Sequence, residues 1–225
     1  MSAAIVKHWF NTTYSCIKGN GILDTTATGD TLEFIGYNYG QPIPDLSEYD
    51  KVIMCDISFP FDDMKKIASS SHLIWLDHHK SAIEHITEEC IKINYRFDGI
   101  YGVILGLSNE DIYKYAACEL TWKYFFPDRE MPEAVRLLGR YDVWDHADSN
   151  VLPFQMGIRL ENTWPDNQNM WQDYFSKYSD DLIKDTINEG KRFSSIKNRR
   201  MKNMLKVVLW KLNSKDLKLL LLINF

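Results

Sequence analysis

The sequence predicts an α/β protein: a parallel sheet flanked by helices, then a helical stretch, then one more strand near its end. Three observations carry this. Two short, nearly uninterrupted apolar runs, 51–57 and 72–76, each meet an aspartate at their far end and are separated by a helical pattern. Strands buried on both faces read this way, and helices between them make the sheet parallel. From about 109 onward, apolar residues recur at helical spacing. A last apolar run over 217–223 reads as one buried strand.

Taken in order, residues 2–10 read as a short amphipathic helix, and the polar Gly/Thr/Asn-rich stretch 11–29 as a loop. Residues 31–37 alternate and are rich in aromatic and β-branched side chains, which predicts a strand. Pro42 and Pro44 prevent its continuation, because each removes a donor and stiffens the backbone. The run 51–57 is the next strand. A helix follows over 60–70, with Pro60 in its first turn and Met64 and Ile67 facing inward. The strand 72–76 comes next. A helix over 109–126 places Ile112, Ala116, Leu120 and Tyr124 on one face, and Pro132 opens another through Val135 and Leu138 toward Trp144. The charged stretch 180–210 carries Ile183, Ile187, Phe193, Ile196, Met201, Leu205 and Val208 at roughly helical spacing, with Gly190 marking a bend.

At 225 residues there is room for one large domain, or for one domain and part of another. A composition of 45% hydrophobic and 25% charged residues excludes wholesale disorder. Lys and Arg total 26 against 31 acids, a net charge of −5, which argues against coating duplex DNA by bulk charge. A local grip on a short nucleic acid or a nucleotide stays open. Cys16, Cys55, Cys90 and Cys118 form no CxxC pair and read as buried free thiols of a reducing compartment. The first residues lack a signal-peptide pattern, and the apolar end is shorter than the ~20 residues of a membrane span. The expectation is a cytoplasmic protein; nothing in the sequence sets its oligomeric state.

Three turns carry candidate chemistry: Met54-Cys55-Asp56, then Trp75-Leu76-Asp77-His78-His79-Lys80, then Gly139-Arg140-Tyr141-Asp142-Val143-Trp144-Asp145. Singly, each has a structural explanation. Asp56 fits the N-cap of the helix near Pro60. Adjacent histidines on a strand point to opposite faces, so only one would reach a given metal. Asp142 fits a helix-end residue bridged to Arg140. Together they say more. Ligands of parallel sheets bind outside the carboxyl ends of the strands, where Asp56 and Asp77-His78-His79 are predicted. Carboxylates with one imidazole suit Mn²⁺ or Mg²⁺, ions that activate water and neutralise phosphoryl charge.

These residues resemble the DHH phosphoesterases, the superfamily of RecJ-like nucleases and family II pyrophosphatases. The likeness is to short bacterial DHH/DHHA1 phosphohydrolases resembling oligoribonucleases. It extends to Ala116-Ala117-Cys118-Glu119-Leu120-Thr121-Trp122 with Tyr124-Phe125-Phe126-Pro127, and to the turn around Asp142. The resemblance implies hydrolysis of a phosphodiester in a short oligonucleotide or dinucleotide with Mn²⁺ (or Mg²⁺). Asp56 would bridge two ions, and His78 and Asp142 would complete the shell of one. His79 would face the substrate phosphate, Asp77 would orient His78 as a hydrogen-bond acceptor, and Arg140 would help hold phosphate or form a structural ion pair.

The family's opening His-x-x-x-Asp-x-Asp-Gly run has no counterpart here; Asp24 and Gly29-Asp30 lack its histidine and spacing. The expectation is therefore one weak metal site and a chain that starts one strand late and stops inside a second domain. The implied organisation is a DHH domain over 1–160, a helical connector over 161–211 and the first strand of a DHHA1-like domain over 212–225. Two alternatives stand beside the phosphodiesterase: a catalytically impaired fragment that binds a nucleotide or a protein, and a phosphomonoester or pyrophosphate hydrolase. Arg192, Lys197, Arg199, Arg200, Lys202 and Lys206 read as the solvated face of a connector helix, with the lining of an anionic cleft as the alternative. Trp164, Trp171 and Tyr174 read as core and helix-packing residues, with base-stacking on short RNA as the alternative, which no RNA-binding motif supports.

Overall fold

The computed structural model describes residues 1–13, 16–17, 23–24, 31–94 and 114–212, with side chains described only as far as 196 in the last helix and not for 16–17 and 23–24. In chain order the elements are α1 (Ser2–Thr13), β1 (Cys16–Ile17), β2 (Leu23–Asp24), β3 (Lys51–Cys55), α2 (Phe61–Ser70), β4 (His72–Leu76), α3 (Lys80–Lys92), α4 (Ala117–Phe125), α5 (Glu133–Asp142), α6 (Val151–Ile158), α7 (Gln168–Phe175) and α8 (Asp180–Leu212). The chain is α/β and mostly helical.

The two apolar runs pair in parallel, as their composition predicts, in the register Lys51↔His72 to Cys55↔Leu76. Alternation along the strands then divides the core in two. Val52, Met54, Leu73 and Trp75 face one side and pack with Met64 and Ile67 of α2 and Ile83 and Ile86 of α3. Ile74 and Leu76, flanked by Ile53 and Cys55, face the other side with Ala4 and Ile5 of α1 and Trp122 and Phe125 of α4. Helices on both faces explain why neither strand shows a polar stripe. The second core also takes in Val135 and Leu137 of α5, Phe154 and Ile158 of α6, Trp171 and Tyr174 of α7, and Ile183 and Ile187 of α8. Burial pushes the Cys55 and Cys118 thiols up to about 12, consistent with packing residues that stay protonated.

Several expectations need correction. Residues 31–37 form no strand. Their side chains have strand propensity, but propensity needs a paired neighbour, and there is none among the described residues. The stretch 11–29 is not all loop: α1 runs on to Thr13, and β1 pairs antiparallel with β2. The helix over 109–126 is α4, which starts at Ala117 after a non-helical Ala116; residues 109–113 lie outside the described residues. Trp164 is 76% exposed, so it is not core, while Trp171 and Tyr174 are buried as expected. Gly190 lies within the unbroken α8 and has a packing role. A Cβ there would collide with the Pro153 carbonyl, and one at Gly157 with the Thr186 carbonyl, so the two glycines let α6 and α8 touch backbone to backbone. The strand over 217–223 and the side chains of Lys197, Arg199, Arg200, Lys202 and Lys206 lie outside what is described. Among the described residues, no helix is long and apolar enough to cross a membrane.

Candidate metal centre

Parallel pairing in register brings the ends of β3 and β4 side by side. Asp56 N–H donates to the Leu76 carbonyl at 2.9 Å, so the ladder runs one residue past β3. There the backbone enters the left-handed region at φ 61°, sparsely populated by residues with a Cβ and tolerated best by Asp and Asn. Asp56 is not the cap of α2: Pro60 holds that position, without any side-chain cap bond.

Asp77-His78-His79 forms the turn between β4 and α3. The Asp77 carboxylate is buried and organises this turn. Its Oδ1 accepts from the backbone N–H of His78 at 2.7 Å and of His79 at 3.2 Å, and meets His79 Nδ1 at 2.6 Å. Its Oδ2 accepts from the Ser58 hydroxyl. Burial alone would raise this carboxyl; the Ser58 and His79 hydrogen bonds outweigh it and hold the group below the usual carboxylate range. Asp77 therefore orients the His79 ring, and not the His78 ring as expected. With Nδ1 engaged by Asp77, Nε2 is the ring nitrogen of His79 left for a ligand. Both histidines lie past the end of β4, so strand alternation does not separate them, and their ring centroids are 4.7 Å apart.

Asp142 is the last residue of α5. His78 Nε2 lies 3.3 Å from Asp56 Oδ1 and 3.3 Å from Asp142 Oδ2. The hydrogen bond to Asp56 and the charge of Asp142 raise the His78 pKa above its ordinary value, against the opposing effect of burial. Asp142 is itself raised, by burial first and by the neighbouring charge of Asp56, which together outweigh its attraction to His78. Two carboxylates thus crowd one nitrogen, and the cluster is short of positive charge.

Asp56, Asp77, His78 and His79 each offer a ligand atom within 4.8 Å of the others, so the group is compact enough for a metal ion. Both oxygens of Asp77 are already engaged, however, while Asp142 opposes Asp56 across His78. Asp142 lies outside that group but meets Asp56 at His78 Nε2, so the candidate donors are Asp56, His78 and Asp142, with His79 beside them. Hard oxygens with one imidazole fit Mn²⁺ or Mg²⁺ better than a soft ion.

Arg140 is committed elsewhere. Its Nη2 lies 2.8 Å from both oxygens of Glu119, a carboxylate only 2% exposed, and also bonds the Lys114 carbonyl at 2.7 Å. Asp145 sits 3.5 Å from Nη1. Arg140 thus ties α4 to α5 and fixes the helix that ends in Asp142, a structural ion pair rather than a phosphate contact. Gly139 makes room for this pair, since a Cβ there would meet Glu119 at 2.5 Å. α5 stops in a Schellman-type end: Trp144 N–H donates to the Tyr141 carbonyl at 3.2 Å and Asp145 N–H to the Arg140 carbonyl at 2.9 Å. Trp144 occupies the left-handed position that glycine normally takes, at φ 59°, with its side chain 82% exposed.

Sequence reasoning missed Ser58, Glu119 and the whole of α3. Ile83 and Ile86, three apart, were the available signal for α3. Nothing local marks Ser58, whose role depends on a residue nineteen positions away. Fold and site together define an α/β protein with a carboxylate–imidazole cluster at the carboxyl ends of two parallel strands. No family model, no curated protein and no solved structure matches the chain.

Proposed function

We propose that this chain is a metal-dependent phosphoesterase of the DHH type, hydrolysing a phosphodiester in short oligonucleotides or dinucleotides. One observation carries the reading: the convergence of Asp56, His78 and Asp142, from the ends of β3, β4 and α5, with 3.3 Å between His78 Nε2 and each carboxylate. Asp77-His78-His79, with Asp56 upstream and Asp142 downstream, resembles the motifs of that superfamily.

Asp56, His78 and Asp142 would hold Mn²⁺ or Mg²⁺. When bound, such an ion supplies an activated water and charge neutralisation at phosphorus. His79, half-exposed and fixed through Nδ1 by Asp77, directs Nε2 toward the entering phosphate and stabilises its oxygens. Ser58 holds Asp77 from behind, so the His79 ring does not swing. Three protein ligands make one weak site, not a tight pair.

The test is cleavage of a short 5′-phosphorylated RNA with and without Mn²⁺, by the chain and by its Asp56→Ala and Asp142→Asn forms. The expected result is Mn²⁺-dependent shortening of the RNA that both substitutions abolish. Release of inorganic phosphate from an otherwise intact RNA would shift the reading to phosphomonoester hydrolysis. No Mn²⁺-dependent product from a folded chain would overturn it in favour of a binding module.

A further inference from the structure

The cavity that holds Asp56 and Asp142 extends beyond them. Its volume is about 360 Å³, and Tyr141, Gln155, Arg159 and Thr163 also line it. That is the size of a small-ligand site. A second cavity, of about 420 Å³, runs along β3 and reaches Asp56, but Asp142 is not part of its wall. Only the smaller one contains both carboxylates, so an anion engaged at the cluster would lie there.

Arg159 follows the last turn of α6. With the Gln155 amide turned to satisfy both partners, its oxygen accepts from Arg159 Nε at 2.9 Å and Nη2 at 3.0 Å. The guanidinium lies 5.8 Å from the centroid of the Tyr141 ring. Arg136 and Arg140 are neutralised: Arg136 pairs with Glu133 and Asp148, and Arg140 with Glu119 and Asp145. Among the described residues, no carboxylate pairs with Arg159. A neutral amide and an aromatic ring thus orient a full positive charge without cancelling it. A guanidinium held this way is prepared for an oxyanion, to which it presents its remaining donors as a fork. In a chain with a net charge of −5 this placement is not bulk electrostatics. The cavity wall thus carries both the carboxylates of Asp56 and Asp142 and the guanidinium of Arg159, with Met1 beside them.

We propose that Arg159 is the anion-binding residue of this cavity, gripping the phosphate next to the scissile one. A substrate would then lie with its scissile group at Asp56, His78 and Asp142 and its neighbouring phosphate on Arg159. The part played by the scissile group rests on the phosphoesterase reading; the anion grip does not.

The experiment uses a diadenylate labelled at its 3′ end, with and without a 5′-phosphate. Binding to the full chain and to Arg159→Gln and Arg159→Lys is followed by fluorescence anisotropy, with Ca²⁺ replacing Mn²⁺ so that the signal reports binding. Circular dichroism confirms that each variant is folded, which the exposed position of Arg159 favours. The 5′-phosphate is expected to tighten binding by the unsubstituted chain roughly tenfold or more, the gain typical of a charge-assisted hydrogen bond. Arg159→Gln should lose that gain and Arg159→Lys retain part of it. Equal binding by the unsubstituted chain and Arg159→Gln, indifference to the 5′-phosphate, or no binding at all would each overturn the proposal. Turnover of the same dinucleotides in Mn²⁺ separates the two ideas. Arg159-dependent binding without turnover keeps the anion grip and removes the phosphoesterase. Turnover indifferent to Arg159 does the opposite.

Discussion

Replacing Gly190 by alanine decides between two physical accounts of α8. If Gly190 were only a flexible point in a helix, Gly190→Ala would stabilise the protein by about 1 kcal/mol through helix propensity. The packing predicts the opposite sign. The new Cβ would meet the backbone carbonyl of Pro153 and the backbone nitrogen of Gly157, atoms that no rotamer change can move aside. α6 and α8 would have to separate, loosening Phe154, Ile158, Ile183 and Ile187, all buried in the same core. Overpacking of this kind costs about 1–3 kcal/mol, and a rigid backbone obstacle puts it at the upper end. After the propensity gain is subtracted, a net destabilisation of about 2 kcal/mol remains. Urea unfolding followed by circular dichroism measures it: with a slope of about 2 kcal/mol per molar urea, the midpoint should fall by about 1 M with the slope unchanged. Gly36→Ala, where a Cβ meets nothing within 4 Å, serves as the control and should barely move the midpoint. An unchanged or raised midpoint for Gly190→Ala would refute the reasoning.

Three further predictions concern single residues. His8 packs against Phe126 and Phe175 at 5.5 and 5.3 Å, its Nδ1 has no partner, and burial lowers its pKa below 6.5. Because the unfolded chain binds this proton more readily, the contribution is full above 6.5 and is lost as pH falls through the lower folded value; the difference in urea midpoint between pH 7.5 and 5.5 should shrink in His8→Phe. Ser58→Ala frees one oxygen of Asp77, which holds the His79 ring, and should lower Mn²⁺-dependent RNA cleavage by about 10- to 100-fold, the usual effect of removing a supporting group, while Mn²⁺ affinity read by calorimetry stays close to that of the unsubstituted chain. Unchanged cleavage would mean that Asp77 needs no support. Trp144→Gly relieves a bulky residue from the left-handed position of the α5 end and should raise stability by about 1 kcal/mol, seen as a higher urea midpoint.

Local chemistry was enough for the centre of the fold. The runs at β3 and β4 are apolar on both faces, and only a sheet covered on both sides buries such strands. That fact alone predicts parallel pairing, a helix between, and Asp56 and Asp77-His78-His79 together at the carboxyl ends. Asp142 entered as the third partner only through the resemblance of its turn to the DHH phosphoesterases. The rest depended on residues distant in sequence. The stretch 31–37 has the side chains of a strand but no paired neighbour among the described residues, and pairing, not composition, makes a strand. α6 was hidden by Pro153, which is tolerated because it lies in the first turn, where N–H groups have no helical acceptor. Gly190 reads in sequence as a helix bend, and its contact with Pro153 is set only by the fold. Arg140 and Arg159 are indistinguishable as residues: one is neutralised by buried Glu119, the other shares a cavity with Asp56 and Asp142. Side-chain type and periodicity are written locally, so the sequence carries them. Which charge is cancelled and which is left free depends on what the fold places opposite it, and only the tertiary structure decides that.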